Sequence, residues 1–299
     1  MSNTFIKWGL FIILCLIWGS SFELMKLGMY ENHDFSKPLL SPYQVAALRM
    51  LSAGMIMLPF VIGAYKRLTK SVFYYAVLSG LLGSFFPAFL FCIAETEIGG
   101  AVAGSLNSLT PIFVIITGAL FFELKTNSNK IFGVVIGLIG SAILLYANTK
   151  GNKLTHLWYC LFVILATIFY GINVNMVTKK LKTVSSIDIA TIAFASLILP
   201  SIGVLVYTHF FELDFINNDN YRNATIASIV LGMLGTAIAS ILFYMLVKRA
   251  SGLFASMVTY GIPFVAIGWG LINKEALNTF HFIGLIIILC GVFIANKQS

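Results

Sequence analysis

The sequence predicts an all-α membrane protein with ten transmembrane helices, built as two inverted repeats of five helices each. Hydrophobic residues make up 59% of the 299 positions and charged residues only 10%, which is too apolar for a soluble domain of this size. The apolar residues form ten separate runs of about membrane-spanning length. The second half of the chain also repeats the pattern of the first.

The ten runs are separated by short polar breaks. A helix needs roughly 20 apolar residues to cross about 30 Å of hydrocarbon. The predicted spans cover residues 5–29, 42–64, 71–94, 99–122, 130–147, 156–178, 187–210, 224–247, 252–273 and 279–296. The longest breaks, 30–41 and 211–223, hold about a dozen residues each, so little of the chain remains for a soluble domain.

The charge pattern predicts an orientation in the membrane. The net charge of +8 could favour nucleic acid, but the basic residues lie in short breaks and form no single basic face, so nucleic acid is not a predicted partner. If the N-terminus is cytoplasmic, twelve Lys and Arg residues fall in inner breaks and five in outer breaks. We therefore expect a multi-pass protein of the inner (plasma) membrane, with the lipid bilayer as a partner and both termini cytoplasmic.

An internal repeat divides the chain into halves, residues 1–150 and 151–299. A shift of 152 residues aligns glycine, proline and aromatic positions, although the match is weak for the second and seventh spans. The matched pairs include Gly80 with Gly232, Gly83 with Gly235, Phe91 with Phe243, Pro111 with Pro263 and Glu123 with Glu275. Five spans is an odd number, so the second copy enters the membrane from the opposite side. Inverted repeats are typical of secondary transporters, with duplication in another kind of membrane protein as the alternative.

Three motifs carry a family resemblance. WGSSF stands in the first span, AALR in the second, and TPIFVIITGALFFE closes the fourth. With these motifs the chain resembles the EamA family of the drug/metabolite transporter superfamily over nearly its whole length. It departs from the family pattern at Glu23, where many members hold an apolar or small residue. The resemblance implies an exporter of amino acids or other small metabolites.

Three charged residues within the spans are candidate substrate-binding residues. Counted at about 1.5 Å per residue, Glu23 and Arg49 reach a similar depth, and Lys26 lies one turn above Glu23 on the same face. A lone charge at the membrane centre costs roughly 2.5 to 3.5 kcal/mol, so each residue should pair or face a polar cavity. One alternative is a structural pair of Glu23 with Arg49. The other is a site for a zwitterion's ammonium and carboxylate, or a proton carried by Glu23.

The position of Glu23 in the repeat favours the second alternative. Glu23 aligns with Asn175 and Lys26 with Thr178, so charge stands at this site in one half only.

Polar side chains supply further binding candidates. Asn107 lies four residues before the matched proline of the fourth span and aligns with Thr259. Such side chains either satisfy backbone groups freed by a proline or offer hydrogen bonds to a substrate. Asn173 and Tyr260 are weaker candidates of the same kind, with helix packing as the alternative.

Small residues at Gly133, Gly137 and Ser141 predict a close helix contact in the fifth span. The contact could lie within the chain or in a homodimer, and the sequence leaves both alternatives open.

No catalytic or cofactor motif accompanies these candidates. HExxH, GxSxG and Walker-type motifs are absent from the sequence, and the four cysteines have no metal-binding spacing. We expect no enzyme, metal or cofactor, but a carrier that exports a small polar or zwitterionic metabolite, with an amino acid as the favoured small-molecule substrate. A nucleotide-sugar or sugar-phosphate exchanger, which needs several cations facing its cavity, is the rival within transport. An intramembrane enzyme or a non-transporting scaffold is the alternative from another class.

Overall fold

The computed structural model describes residues 3–31, 34–124, 128–149, 155–274 and 278–296. These residues form ten helical segments, and each coincides with one predicted span within a few residues. The segments are α1 (Asn3–Met29), α2 (Pro42–Arg67), α3 (Lys70–Ala94), α4 (Gly100–Phe121), α5 (Ser128–Thr149), α6 (Thr155–Lys180), α7 (Ser186–Tyr207), α8 (Asp219–Arg249), α9 (Gly252–Ile272) and α10 (Thr279–Asn296).

Eight of these segments are candidate membrane spans among the described residues. Helices α1 to α4 and α6 to α9 are long and apolar enough to cross a bilayer, whereas α5 and α10 contain shorter apolar stretches at Ile131–Gly140 and Thr279–Gly291. The chain is therefore a multi-pass membrane protein. By this criterion the described part of the chain contains eight spans, where the sequence predicts ten.

Local sequence sets where the helices begin. At the start of α2, the Ser41 hydroxyl accepts a hydrogen bond from the Gln44 backbone N–H at 3.2 Å, and the Gln44 side chain accepts one from the Ser41 N–H at 2.9 Å. Pro42 occupies the first helical position, where its missing N–H costs nothing. Ser251 caps α9 in a similar way by accepting from the Phe254 N–H at 3.1 Å.

Several helices depart from regular α geometry, and four of these departures occur in matched pairs. Helices α4 and α9 are interrupted after Asn107 and Ser256. Helices α3 and α8 contain π-helical turns over Leu81–Phe85 and Leu231–Ile238. The shift of 152 places residues 81–85 on 233–237, so the π turns occur at matched positions of the two halves. Such turns often mark functional sites.

Helices α4 and α9 also end in the same way. Glu123 and Lys274, just beyond the two helices, both have a left-handed backbone, with φ of 53° and 57°. Glu275, which aligns with Glu123, lies outside the described residues.

Glycines bring α5 and α10 into backbone contact. A methyl group on Gly140 would lie 2.8 Å from the Gly284 carbonyl oxygen, and one on Gly291 would lie 2.7 Å from that of Gly133. A shift of 151 maps Gly133 to Gly284 and Gly140 to Gly291, so each contact is the counterpart of the other, as a two-fold relation requires. The small-residue face of the fifth span is thus occupied at Gly133 and Gly140 by the same chain. The side chain of Ser141 lies outside those described.

A second reciprocal contact joins α1 with α9 and α6 with α4. A methyl group on Gly19 would lie 3.1 Å from the Ile262 carbonyl oxygen and also meet Val265. One on Gly171 would lie 2.7 Å from the Phe113 carbonyl oxygen. Gly19 maps to Gly171 and Phe113 to Val265 by the same shift of 152.

Helices α2 and α7 follow a different offset. Gly80 of α3 contacts the backbone of Ala193, and its counterpart Gly232 contacts the backbone of Arg49. The packing therefore matches Arg49 with Ala193, an offset of 144, which also aligns the helix starts at residues 42 and 186. A side chain added at Gly54 would meet Ile198, and Ile198 is the residue that matches Gly54 under this offset. Arg49 thus has an alanine at the equivalent position of the second half.

We expect Gly140→Ala to destabilise the protein by about 1 to 3 kcal/mol, because the added methyl would press on the backbone of α10 at Ile288 and Gly284. Thermal unfolding of the purified protein in detergent measures this. Gly203→Ala in α7 is the control, since nothing lies within 4 Å of the added methyl. Equal unfolding temperatures for the two variants would contradict the close packing of α5 and α10.

Candidate functional site

A cavity of about 80 Å³ lies between seven helices drawn from both halves of the chain. In this conformation it is smaller than the roughly 300 to 1,000 Å³ of drug-sized ligand sites. Its described lining residues are Trp18, Ser21, Phe22, Met25, Arg49, Gly83, Ser84, Phe91, Asn107, Thr110, Tyr170, Asn173, Val174, Gly235, Thr236, Ser240, Phe243, Tyr244, Ser256, Thr259 and Ile262. Helices α5, α7 and α10 contribute none of them.

Most of the lining residues form pairs under the shift of 152. The pairs are Trp18 with Tyr170, Ser21 with Asn173, Phe22 with Val174, Gly83 with Gly235, Ser84 with Thr236, Phe91 with Phe243, Asn107 with Thr259 and Thr110 with Ile262. The two halves therefore present matched positions to one cavity. Met25, Arg49, Ser240, Tyr244 and Ser256 have no lining partner in this register.

The side chain of Arg49 is the one formal charge among the described lining residues. Its Nε donates to the Thr236 hydroxyl at 2.6 Å, and its Nη1 lies 3.8 Å from the Met25 sulfur, a weak acceptor. Because these two contacts use few of the five guanidinium N–H donors, the remaining donors are available to the cavity. The Glu23–Arg49 pair, one of the two alternatives that the sequence left open, does not form, and Arg49 has no carboxylate partner among the described residues.

A buried hydrogen-bond chain forms one wall of the cavity. Ser79 donates to the Asn173 side-chain oxygen at 2.7 Å, and the Tyr244 hydroxyl lies 3.0 Å from the Ser79 hydroxyl. Since Ser79 has one proton and gives it to Asn173, Tyr244 donates to Ser79. The Tyr244 hydroxyl also makes a hydrogen bond with the Asn173 side chain, which lies on the cavity wall.

Asn107 lies on the cavity wall at the break in α4. Pro111 has no N–H for the Asn107 carbonyl, and the Thr110 hydroxyl donates to that carbonyl at 2.8 Å instead. The same hydroxyl lies 3.2 Å from the Asn107 side-chain oxygen. Thr110 thus satisfies the backbone group freed by the proline, and the Asn107 amide N–H groups remain without a partner among the described residues.

Glu23 lies outside the cavity lining, between α1 and the end of α9. Its Oε2 accepts a hydrogen bond from the Asn273 side chain at 2.6 Å. Asn175, at the matched position in α6, donates to the Val114 carbonyl at 2.8 Å and the Thr117 hydroxyl at 3.0 Å in α4. Both residues therefore join their helix to the equivalent neighbour.

Lys26 and Tyr260 are also absent from the cavity lining. Lys26 is buried, and its ammonium lies 5.6 Å from the centre of the Phe35 ring. Beside it, burial and the carboxylates of Glu97 and Glu95 raise the pKa of Tyr30, just past the end of α1. Lys26 thus belongs to a charged region near the end of α1 and not to the cavity.

Sequence reasoning missed several lining residues. Trp18, Ser21, Ser84, Tyr170 and Thr236 carry no charge and match no binding motif. The repeat alignment contained a signal for four of them, since Trp18 aligns with Tyr170 and Ser84 with Thr236 at matched aromatic and hydroxyl positions.

The two ends of the α2–α7 pair are held by different contacts. At one end, Arg67 Nε and Nη2 donate to the two carboxylate oxygens of Asp188 at 3.0 and 2.5 Å, and Lys248 donates to the Val184 carbonyl nearby. At the other end, Gln44 Nε2 donates to the Thr208 carbonyl at 2.9 Å. Gln44 and Asp188 are counterparts under the offset of 144. One end therefore carries a bidentate ion pair and the other a hydrogen bond between neutral groups.

Comparisons with known proteins identify a family. The model of the EamA-like transporter family matches residues 6–146 and again 157–297. An "Uncharacterized transporter" of Archaeoglobus fulgidus is 26% identical, covering 98% of this chain and 99% of that protein. The "Uncharacterized inner membrane transporter YedA" of Escherichia coli K12 is 23% identical, covering 96% and 90% of the two chains.

Two further similarities concern a named activity and the fold. A "Probable amino-acid metabolite efflux pump" of Escherichia coli K12 is 22% identical, covering 95% of this chain and 92% of that protein. A crystal structure with 16% identity superposes with a TM-score of 0.64 and covers 99% and 96% of the two chains, so the two proteins share a fold.

We expect Arg49→Gln to leave thermal stability unchanged or to raise it. No carboxylate among the described residues depends on this charge, and a lone cation at membrane depth costs roughly 2.5 to 3.5 kcal/mol. Asp188→Asn is the contrasting variant, and we expect it to lose about 1 to 3 kcal/mol because it breaks a charge-assisted pair. Unfolding in detergent tests both, and a marked loss for Arg49→Gln would show that its charge holds the fold.

Proposed function

The chain belongs to the EamA-like transporter family, and on that premise we propose that it is a secondary carrier for a small polar metabolite. The observation that supports the proposal most directly is the central cavity, because most of its lining residues occupy matched positions of the two halves. A carrier that works by alternating access needs one site that both halves enclose and that either half can uncover.

We propose that the carrier has ten spans in two inverted halves, residues 1–150 and 151–299. The family model matches each of these halves once. The reciprocal glycine contacts of α5 with α10, and of α1 with α9 and α6 with α4, support the two-fold relation. On this proposal α5 and α10 cross the membrane as the fifth span of each half.

The proposed substrate is an amino acid, and the proposed direction is export. The name of the Escherichia coli efflux pump supports both at low identity. A nucleotide-sugar or sugar-phosphate exchanger is less favoured, because Arg49 is the one cation among the described lining residues and such a substrate needs several. We place the protein in the inner membrane with cytoplasmic termini, so that Arg67 and Asp188 lie at the cytoplasmic face.

Transport by reconstituted protein tests the proposal. Proteoliposomes would be loaded with a panel of radiolabelled amino acids, and efflux compared for wild type, Ser84→Phe and Ser71→Phe. Ser84 lines the cavity, so a phenyl ring there should abolish efflux, whereas Ser71, exposed at the start of the same helix, should tolerate it. We expect Glu23→Gln to retain efflux.

Two results would contradict this proposal. One is the absence of wild-type efflux for every labelled compound in vesicles that contain folded protein. The other is equal efflux from wild type and from a folded Ser84→Phe variant, which would place the path outside the cavity.

The unequal contacts at the ends of α2 and α7 predict unequal access to the cavity. We expect Asp188→Asn to raise, several-fold, the rate at which a cysteine at Ser84 reacts with an impermeant thiol reagent applied at the Arg67 face. The cysteine at position 84 would be introduced into a variant in which the four native cysteines have been replaced. Asp214→Asn, in the exposed segment before α8, is the control. Equal rates for the two variants would show that the Arg67–Asp188 pair does not close that face.

A further inference from the structure

The cavity offers hydrogen-bond donors and a positive charge but no negative charge. Arg49 supplies guanidinium N–H groups, and the amide nitrogen of Asn107 has no hydrogen-bond partner among the described residues. Neither aspartate nor glutamate occurs among the described lining residues. Glu23, the carboxylate that could have met an ammonium group, lies against Asn273 outside the lining.

The rest of the lining carries no charge and consists mainly of aromatic side chains and of serine and threonine hydroxyls. Six rings border the space: Trp18, Phe22, Phe91, Tyr170, Phe243 and Tyr244. Such walls favour an apolar body, and their π faces attract an ammonium group only weakly, by about 0.5 to 2 kcal/mol. The hydroxyl groups of Ser21, Ser256 and Thr259 donate to carbonyls of their own helices, so they offer neutral acceptor oxygens to the cavity and no negative charge.

From this lining we infer that the substrate is a small monocarboxylate with an apolar body, recognised through its carboxylate at Arg49 and not through an amino group. The inference rests on the proposed function for its site and narrows the substrate class. A carboxylate matches the planar donor fork of arginine. An amino acid satisfies this requirement, but so does the corresponding 2-hydroxy acid. A compound whose carboxylate is replaced by an amide leaves the Arg49 charge without a partner.

The position of Thr236 is part of this site. Its hydroxyl accepts from Arg49 Nε at 2.6 Å and lies on the π turn of α8, whereas Arg49 comes from α2. A hydroxyl from one half thus positions a cation from the other. The matched residue Ser84 has no arginine to hold, because the packing counterpart of Arg49 is Ala193.

Binding of matched ligands to the purified full-length protein tests the inference. Each set contains an L-amino acid, its amide and its 2-hydroxy acid, and the sets are built on alanine, leucine and phenylalanine. Affinity would be measured by titration calorimetry in nanodiscs. We expect at least one set in which the acid and the hydroxy acid bind within about tenfold of each other and the amide at least about tenfold more weakly.

Variants separate the charge from the fold. Arg49→Gln should abolish the preference for the acid over the amide, and Arg49→Lys should retain part of it. Arg222→Gln is the control, because Arg222 pairs with Asp219 at an exposed helix start and does not line the cavity. It should keep the full preference.

The outcomes distinguish this inference from the proposed carrier. The inference would be overturned by equal binding of acid and amide or by a preference for the acid that survives in Arg49→Gln. It would also be overturned by a hydroxy acid that fails to bind where its amino acid binds, or by the absence of binding in every set. Binding with the expected preference but without transport in proteoliposomes would count against the carrier and leave the carboxylate site intact. Transport of acid and amide at equal rates would leave the carrier and remove the carboxylate site.

Discussion

Close backbone contact at glycine is the constraint on which the bundle depends. Helices in lipid gain no hydrophobic free energy by leaving the acyl chains for one another, so association rests on tight packing and on hydrogen bonds between helices. Gly140, Gly291, Gly19 and Gly171 each leave no room for a side chain against a neighbouring backbone. Because these contacts occur in matched pairs, they support the two-fold relation proposed for the two halves, and the cavity lies where matched surfaces meet.

The sequence was sufficient to predict the helices but not the directions in which their side chains point. Hydropathy indicates where a helix begins and ends, and each helical segment coincides with a predicted span, although only eight of the described segments are long and apolar enough to cross a membrane. Depth along a helix can also be counted, which is why Arg49, Asn107 and Asn173 were candidates and do line the cavity. Rotation about the helix axis depends on packing and cannot be counted in this way, and Glu23 and Lys26 are absent from the lining. The offset of 144 between α2 and α7 could not be found from the sequence for a similar reason. Few residues of the two helices are identical in this register, and the offset is defined by their contacts with Gly80 and Gly232.

Two arginines in α2 show how environment decides the role of the same side chain. Arg67 lies at the end of the helix, meets both carboxylate oxygens of Asp188, and contributes to the contact between the halves. Arg49, five turns earlier at 3.6 residues per turn, meets a hydroxyl and a sulfur atom, and its charge is left for whatever enters the cavity. On the proposed function, the Arg67 charge stabilises a conformation, whereas the Arg49 charge binds the substrate.

The different contacts at the two ends of α2 and α7 also determine how the protein responds to dissolved salt. The Arg67 side chain is 60% exposed, so mobile ions reach its pair with Asp188 and screen it over a Debye length of about 8 Å at physiological ionic strength. At the opposite face, the hydrogen bond from Gln44 to Thr208 joins two neutral groups and has no net charge to screen. Ionic strength in one compartment therefore changes the balance between the two ends, and ionic strength in the other does not.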